Sequence, residues 1–233
     1  MALIKFGGGI ADMRGSIAGT TFARNRFGAY ARNRTKPVNP NSSRQVTARN
    51  NLSSVVQAWY DVLTAVQRAN WATYAAAVPW INALGESQYL TGFNMFVRSN
   101  LAVVGAGLTR IDAAPSTLSM PNSDPTFAVV ATADDQKLAI TFNNSEEWAN
   151  ESGGHLLVYG GQAQKSTRNF YGKTFRYADK IAGSSTTPPT TGTLISTPFG
   201  IAADQKVWVT ARILRADGRL SKPFRTNCTV SAT

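Results

Sequence analysis

Cysteine and histidine are almost absent from this sequence, whose 233 residues include one of each, Cys228 and His155. A single cysteine cannot form a disulfide within the chain, so nothing ties the protein to an oxidising compartment. Zinc and similar metals need several His or Cys ligands, which excludes such a centre unless subunits share ligands. We expect His155 to be an ordinary strand residue and Cys228 a small buried hydrophobe. A catalytic Cys–His couple is the weaker alternative.

Long apolar runs and export signals are also missing. Polar residues interrupt the apolar stretches well before the roughly 18 to 20 residues of a membrane-spanning helix. The N-terminus runs from Met1–Phe6 directly into Gly7–Gly9, without a basic segment followed by an apolar one, so Sec export is not indicated. We therefore expect no membrane partner and synthesis in a reducing cytoplasm.

Acidic residues are few, with 13 Asp and Glu against 24 Lys and Arg, for a net charge of +11. Residues 1–50 hold nine Lys or Arg and the single acid Asp12, a net charge of +8, so the excess is concentrated at the N-terminus. The acidic clusters are Asp134-Asp135 and Glu146-Glu147 with Glu151. They could bind calcium or act as an acid/base pair, but they lie in a predicted turn and loop, where solvated charge is common. We expect no metal, no cofactor and no catalytic residue.

The pattern of the whole chain predicts an α+β protein in three parts. Residues 1–40 form a basic arm, either a β-hairpin or an extended segment, whose exit is held extended by Pro37 and Pro40. Residues 41–114 form three helices, and residues 115–233 form an antiparallel β-sandwich of the immunoglobulin or fibronectin type III kind. The Cys–Trp–Cys signature of antibody domains is absent.

Capping signals delimit the three helices. Asn41 or Ser42 can cap the first, whose apolar positions recur at about helical spacing, and Thr64–Gln67 matches a capping box for the second. Pro79 stops the second helix, and the third begins at Thr91 and ends at glycines near residue 105. The apolar positions of the first helix are Val46, Leu52, Val55, Val56, Trp59, Tyr60 and Leu63.

After residue 115, short alternating or apolar runs are separated by turn residues, which predicts seven strands. Asp217-Gly218 is a strong hairpin signal between the last two. The predicted strands are Phe127–Thr132, Lys137–Phe142, His155–Gly160, Thr174–Ile181, Thr193–Thr197, Lys206–Leu214 and Pro223–Val230.

The basic arm carries the candidate binding residues. Arginines 24, 26, 32 and 34 occupy even-numbered positions, as do Phe22 and Tyr30, and within one strand such positions lie on one face. Across a hairpin that turns near residues 26–28, these side chains all lie on the same face only if the loop has an odd number of residues. Guanidinium groups bind phosphates and aromatic rings stack on bases, so these residues could bind nucleic acid. Arginine and aromatic residues are equally enriched at protein–protein interfaces. We favour a protein interface because the sequence shows no recognisable nucleic-acid-binding fold. The candidate partner-binding residues are Arg14, Phe22, Arg24, Arg26, Phe27, Tyr30, Arg32, Arg34 and Lys36.

The first 105 residues or so resemble a set of tailed-phage and prophage virion-associated proteins. The resemblance is carried by Met13–Arg26, Gly28–Arg32 and Pro37–Asn41 with Gln45, and by later positions in the helical segment. Those later positions are Trp59, Leu63-Thr64, Gln67-Arg68, Trp71 and Gly92–Phe96. The resemblance implies a role in the virion or its assembly, and it transfers no catalytic residue.

Three functions follow as hypotheses. In the first, the protein is a non-enzymatic virion structural component, assembled in the host cytoplasm, that docks onto capsid, portal or tail subunits in a symmetric multimer. It would display its β-sandwich as a decoration, collar or tail accessory protein. In the second, the arm binds packaged DNA without reading its sequence. The third, an enzyme acting on polysaccharide or peptidoglycan, is the weakest because acid/base residues are scarce.

Overall fold

A computed structural model of the chain describes residues 2–25, 28–36, 38–81 and 86–232. Within these residues the protein has three helices and a large, mostly antiparallel sheet, so the α+β class predicted from the sequence is confirmed. The chain divides into two compact units, residues 1–45 and residues 46–233.

The first unit contains a four-stranded antiparallel sheet, which we call the arm sheet. Its strands are β1 (Ala2–Leu3), β2 (Gly15–Ile17), β3 (Thr20–Asn25) and β4 (Gly28–Asn33), in the order β1-β4-β3-β2. Asn25 pairs with Gly28, so β3 and β4 form a hairpin with two residues between the strands. The short β1 and β2 lie at the two edges, next to β4 and β3 respectively.

The three helices begin where the capping residues predict. They are α1 (Ser43–Asp61), α2 (Ala65–Ala77) and α3 (Gly92–Gly105). At α2 the Thr64 hydroxyl accepts a hydrogen bond from the Gln67 backbone N–H, while the Gln67 side chain accepts one from the Thr64 N–H, which completes the predicted capping box. Thr91 caps α3 through the Asn94 backbone N–H. A hairpin that the sequence did not reveal, β5 (Pro79–Ile81) with β6 (Ser87–Tyr89), joins α2 to α3.

Aromatic side chains form the core shared by the helices. Trp71 on α2 and Phe96 on α3 meet edge to face with ring centroids 5.5 Å apart, and both are fully buried. The indole N–H of Trp71 donates to the Asp112 carbonyl oxygen at 3.0 Å, which ties the segment after α3 to this core.

Only the second half of α1 joins that core. Val55 and Ala58 are buried, whereas Val46 and Leu52 are 39% and 44% exposed. The periodicity therefore predicted the helix correctly, but an apolar stripe does not by itself say how much of it is covered.

The large sheet contains the seven predicted strands and one short extra strand, β10. Its order is β11-β9-β13-β14-β7-β8-β12, with β10 also paired to β13. All pairings are antiparallel except β14 with β7, which run parallel at Val230–Ser231. The strands are β7 (Ala128–Thr132), β8 (Lys137–Thr141), β9 (His155–Gly160), β10 (Gln164–Lys165), β11 (Arg176–Ala182), β12 (Thr193–Ser196), β13 (Gln205–Leu214) and β14 (Phe224–Ser231).

One hydrophobic core is filled by alternating side chains from strands at both ends of the sheet order, β9 and β13 on one side and β7 and β8 on the other. Val209 and Ile213 of β13 lie in it with Leu138 and Ile140 of β8, and all four are buried. Because strand residues alternate between faces, the even-numbered residues of β13, such as Thr210 and Arg212, point to the outer side of the sheet.

The helix α3 packs on that outer side. Buried residues of α3 and its C-terminus, Val103 and Ala106, cluster with Leu157 of β9 and Leu214 of β13. Residues on both sides of the predicted boundary at residue 114 therefore share a hydrophobic cluster. The helices and the large sheet consequently belong to one compact unit.

Substitution of Gly92 tests how closely the backbones of α2 and α3 approach each other. An added Cβ at Gly92 would lie 2.7 Å from the Ala72 backbone nitrogen, whereas a Cβ at Gly105 would meet nothing within 4 Å. We expect Gly92→Ala to lower the free energy of unfolding by about 1 to 3 kcal/mol, because the backbones must move apart. Gly105→Ala should raise it by up to about 1 kcal/mol through better helix propensity. Urea unfolding measures both; equal effects of the two substitutions would contradict this packing.

Candidate functional site

The loop length of the hairpin decides which predicted binding residues share a face. Two residues separate β3 from β4, an even number, and the pairing places Phe22 opposite Ala31 and Tyr30 opposite Ala23. Partners across an antiparallel ladder lie on the same face. Phe22 and Arg24 therefore lie on one face of the arm sheet, and Tyr30 and Arg32 lie on the other. The sequence left open whether these arginine and aromatic residues share one face, and in the structure they are divided between two.

Among the described residues, neither face of the arm sheet is fully covered, and Phe22 and Tyr30 at its centre are half-buried. None of the described residues from 2 to 45 is buried. Ile17, which pairs with Thr20 on the face of Phe22, is 66% exposed, and Leu3, which pairs with Tyr30 on the other face, is 78% exposed. Each face therefore offers an aromatic ring, an aliphatic side chain and a guanidinium group.

The carboxylate of Asp12 lies close to two of the arginines in the basic arm. Asp12 Oδ2 lies 2.9 Å from Arg14 Nε and 4.0 Å from Arg24 Nη1, so the only acid of the first 50 residues is shared by two arginines. Exposed ion pairs of this kind contribute little stability, so the two guanidinium groups can still bind elsewhere.

The remaining predicted residues follow the sheet or lie outside the described part. The Arg34 backbone N–H donates to the Gly19 carbonyl oxygen at 2.8 Å, and the side chains of Arg34 and Lys36 are exposed. Arg26 and Phe27 lie outside the described residues. Phe22, Arg24, Tyr30 and Arg32 are thus brought onto one small sheet, but on two surfaces, and Arg14 directly precedes its edge strand β2.

The predicted acidic clusters have ordinary structural surroundings. Asp134 and Asp135 are exposed in the turn between β7 and β8. The Arg215 guanidinium donates hydrogen bonds to Glu147 and to Glu151. These two carboxylates are therefore already engaged by a cation, which competes with any metal ion.

His155 on β9 and Cys228 on β14 lie beside opposite ends of β13, the strand between them. His155 pairs with Leu214 and Cys228 pairs with Val207, seven residues away along that strand and thus roughly 23 Å. Burial lowers the pKa of His155 and raises that of the Cys228 thiol. The Cys–His couple, left open by the sequence, is therefore not formed within the chain.

A cleft on the outer side of the large sheet escaped the sequence analysis. It has a volume of about 510 Å³ and is lined by α3, β9, β13 and β14. Three arginines contribute to it: Arg98, Arg212 and Arg225. The available signal was Arg212 between Ala211 and Ile213, a charged residue inside a strand that otherwise reads as core, but the strand pattern does not reveal what faces it.

No protein-family model, curated protein or solved structure matches this chain. Across the described ranges, no helix is long and apolar enough to cross a membrane. In the same part of the chain, no group of three or more His, Cys, Asp or Glu residues is arranged to hold a metal ion. The arm sheet and the cleft lined by Arg98, Arg212 and Arg225, which we call the arginine cleft, are two surfaces that present groups able to bind a partner or ligand.

The ion pairs of Arg215 predict a pH dependence of stability. The hydrogen bond from Arg215 holds the pKa of Glu147 below its usual value. A carboxyl of this kind stabilises the folded state above its unfolded pKa, and the contribution is lost as the pH falls through the folded pKa. We expect Arg215→Gln to be less stable than the native protein at neutral pH, with the difference shrinking below about pH 4.

Urea unfolding from neutral pH to about pH 3 measures this difference. Arg168→Gln is the matched control, because Arg168 is exposed and forms no ion pair among the described residues. A difference for Arg215→Gln that stays constant across the pH range would show that its carboxylate partners are not responsible.

Proposed function

We propose that this protein is a non-enzymatic structural component of a tailed-phage particle. It docks onto capsid, portal or tail subunits through its arm sheet and helices, and it displays its β domain as a decoration, collar or tail accessory protein. The proposal rests on the resemblance of the first 105 residues and on one structural observation, the arm sheet with neither face buried.

A small sheet of this kind, whose described residues are at most half-buried, lacks the burial that normally stabilises a sheet. Its strands are two to six residues long, and small sheets need a covered hydrophobic face to be stable in water. Burial of apolar surface contributes about 25 cal/mol per Å², so covering Leu3, Ile17, Phe22 and Tyr30 on a partner would supply what the sheet lacks. Repetition in a symmetric particle would let such weak contacts add.

The strand order supports the more specific assignment of the β domain to the fibronectin type III kind. In a sandwich of this kind, β7, β8 and β12 would be the strands of one layer, and β11, β9, β13 and β14 those of the other. In an immunoglobulin constant domain, the fourth strand joins the A-B-E side. Here β11 pairs with β9 instead, on the opposite side. Small sandwiches of this type are common in surface-displayed proteins, which suits an exposed accessory role.

Protein docking explains the arm sheet better than DNA binding does. A surface that tracks phosphates needs cations on one side, whereas Arg24 and Arg32 lie on opposite faces. The exposed aliphatic residues Leu3 and Ile17 contribute nothing to phosphate binding but are suited to a buried interface core.

The two faces can be tested separately. One double variant, Ile17→Ser with Phe22→Ser, removes the apolar residues of one face; the other, Leu3→Ser with Tyr30→Ser, removes those of the opposite face. We expect at least one to abolish incorporation into particles when it replaces the native protein during phage assembly, as measured in gradient-purified particles. Val130→Ser, at an exposed apolar position of β7, is the control and should be incorporated normally.

Thermal unfolding of the purified variants separates folding from docking. Both double variants should retain the main transition of the native protein, since the cores of residues 46–233 are unchanged. Normal incorporation of both double variants would refute docking through the arm sheet.

DNA binding is measured with the same protein and a random-sequence duplex. We expect no binding that survives about 200 mM salt. Tight binding whose salt dependence weakens by about one unit of slope for each of Arg24→Gln and Arg32→Gln would favour the DNA-binding hypothesis instead.

A further inference from the structure

The arginine cleft is formed because α3 covers only one end of the outer face of the sheet. Leu157 and Leu214 lie under α3 in a buried cluster. At the other end, Tyr171 from the segment between β10 and β11 stacks on Trp208, with ring centroids 5.6 Å apart. The gap between these two covers is the cleft of about 510 Å³.

Two of the three guanidinium groups of the cleft, on different elements, are held in place by described contacts. Arg98 of α3 donates to the carbonyl oxygens of Leu220 and Ser221, at 3.2 Å and 3.0 Å, and its guanidinium carbon lies 4.3 Å from the Trp80 ring centroid. Arg225 of β14 lies over the Phe175 ring at 5.0 Å. These contacts fix positions without neutralising charge.

Among the described residues, no acidic side chain balances these charges. Within the described ranges no carboxylate oxygen lies within 4 Å of Arg98, Arg212 or Arg225, and no Asp or Glu lines the cleft. Burial, followed by the nearby charge of Arg212, lowers the pKa of Arg98 to about 10. This pKa leaves Arg98 cationic at neutral pH, and the three guanidinium groups together give the cleft concentrated positive charge.

The rest of the lining is aromatic or apolar. Tyr159 and Phe175 are half-buried, and Leu101 and Pro223 complete the walls. Burial raises the pKa of Tyr159, so its hydroxyl is neutral and available as a hydrogen-bond donor. Guanidinium groups next to an apolar wall are suited to a ligand that has an anionic group at one end and a ring or another compact apolar part at the other.

We propose that this cleft binds an organic anion, a carboxylate, sulfate or phosphate group carried on a ring or other compact body. Arg212 and Arg225 would meet the oxyanion, and Tyr159 and Phe175 would contact the body. The volume is within the range of small-ligand sites and too small for a nucleic-acid duplex. The inference is independent of the arm sheet and of docking in a particle.

Calorimetric titration of the full-length protein tests the proposal with five probes: benzoate, phenyl phosphate, glucuronate, inorganic phosphate and neutral phenol. We expect at least one ring-bearing anion to bind at least about tenfold more tightly than both phenol and inorganic phosphate. The tightest probe would show whether an aromatic acid, a phosphate ester or an acidic sugar is the source of the anion. Failure of all three ring-bearing anions to bind at about 10 mM, or equal binding of phenol, would overturn the proposal.

Variants locate the binding. Arg212→Gln should weaken binding of the best probe at least about tenfold, because a bidentate charged contact is lost. Arg225→Gln gives a second reading at an exposed position where the fold is not at risk. Arg176→Gln is the matched control, since Arg176 lies on the same sheet over Phe199 and does not line the cleft. Unchanged affinity in both cleft variants, or an equal loss in the control, would exclude this site.

Discussion

Buried aliphatic side chains hold α3 against the outer face of the large sheet, and much of the remaining architecture depends on this contact. It joins the helices and the strands into one unit, although each has an aromatic or aliphatic core of its own. It also carries Arg98 to the β13–β14 connection, where two backbone carbonyl oxygens accept its hydrogen bonds. The arginine cleft exists only because α3 covers part of that face and leaves the next part open.

The same constraint, that an apolar sheet face must be covered, distinguishes the two units. The large sheet buries one face in its own core and part of the other under α3. The arm sheet has two faces that both carry aliphatic, aromatic and cationic side chains, and neither is buried. The proposed assembly role rests on this difference, because a partner surface would cover what the arm sheet leaves exposed.

Local signals in the sequence predicted the elements well. The capping box at Thr64 and the cap at Thr91 fix helix starts because they satisfy backbone groups within a few residues. Turn residues between alternating runs gave the seven strands of the β domain to within two residues at each end. The β5–β6 hairpin and the edge strands of the arm were missed, since strands of two or three residues have too few positions to show a period.

The sequence by itself determined the class of fold, the order of its elements, and the concentration of charge and aromatic residues at the N-terminus. Tertiary structure decided which side chains share a surface. Phe22 and Tyr30 separate onto two faces because of a two-residue loop, and Arg98, Arg212 and Arg225 line one cleft although 114 and 13 residues separate them along the chain. Periodicity encodes which face of an element a residue occupies, but the partner of that face depends on packing between distant elements.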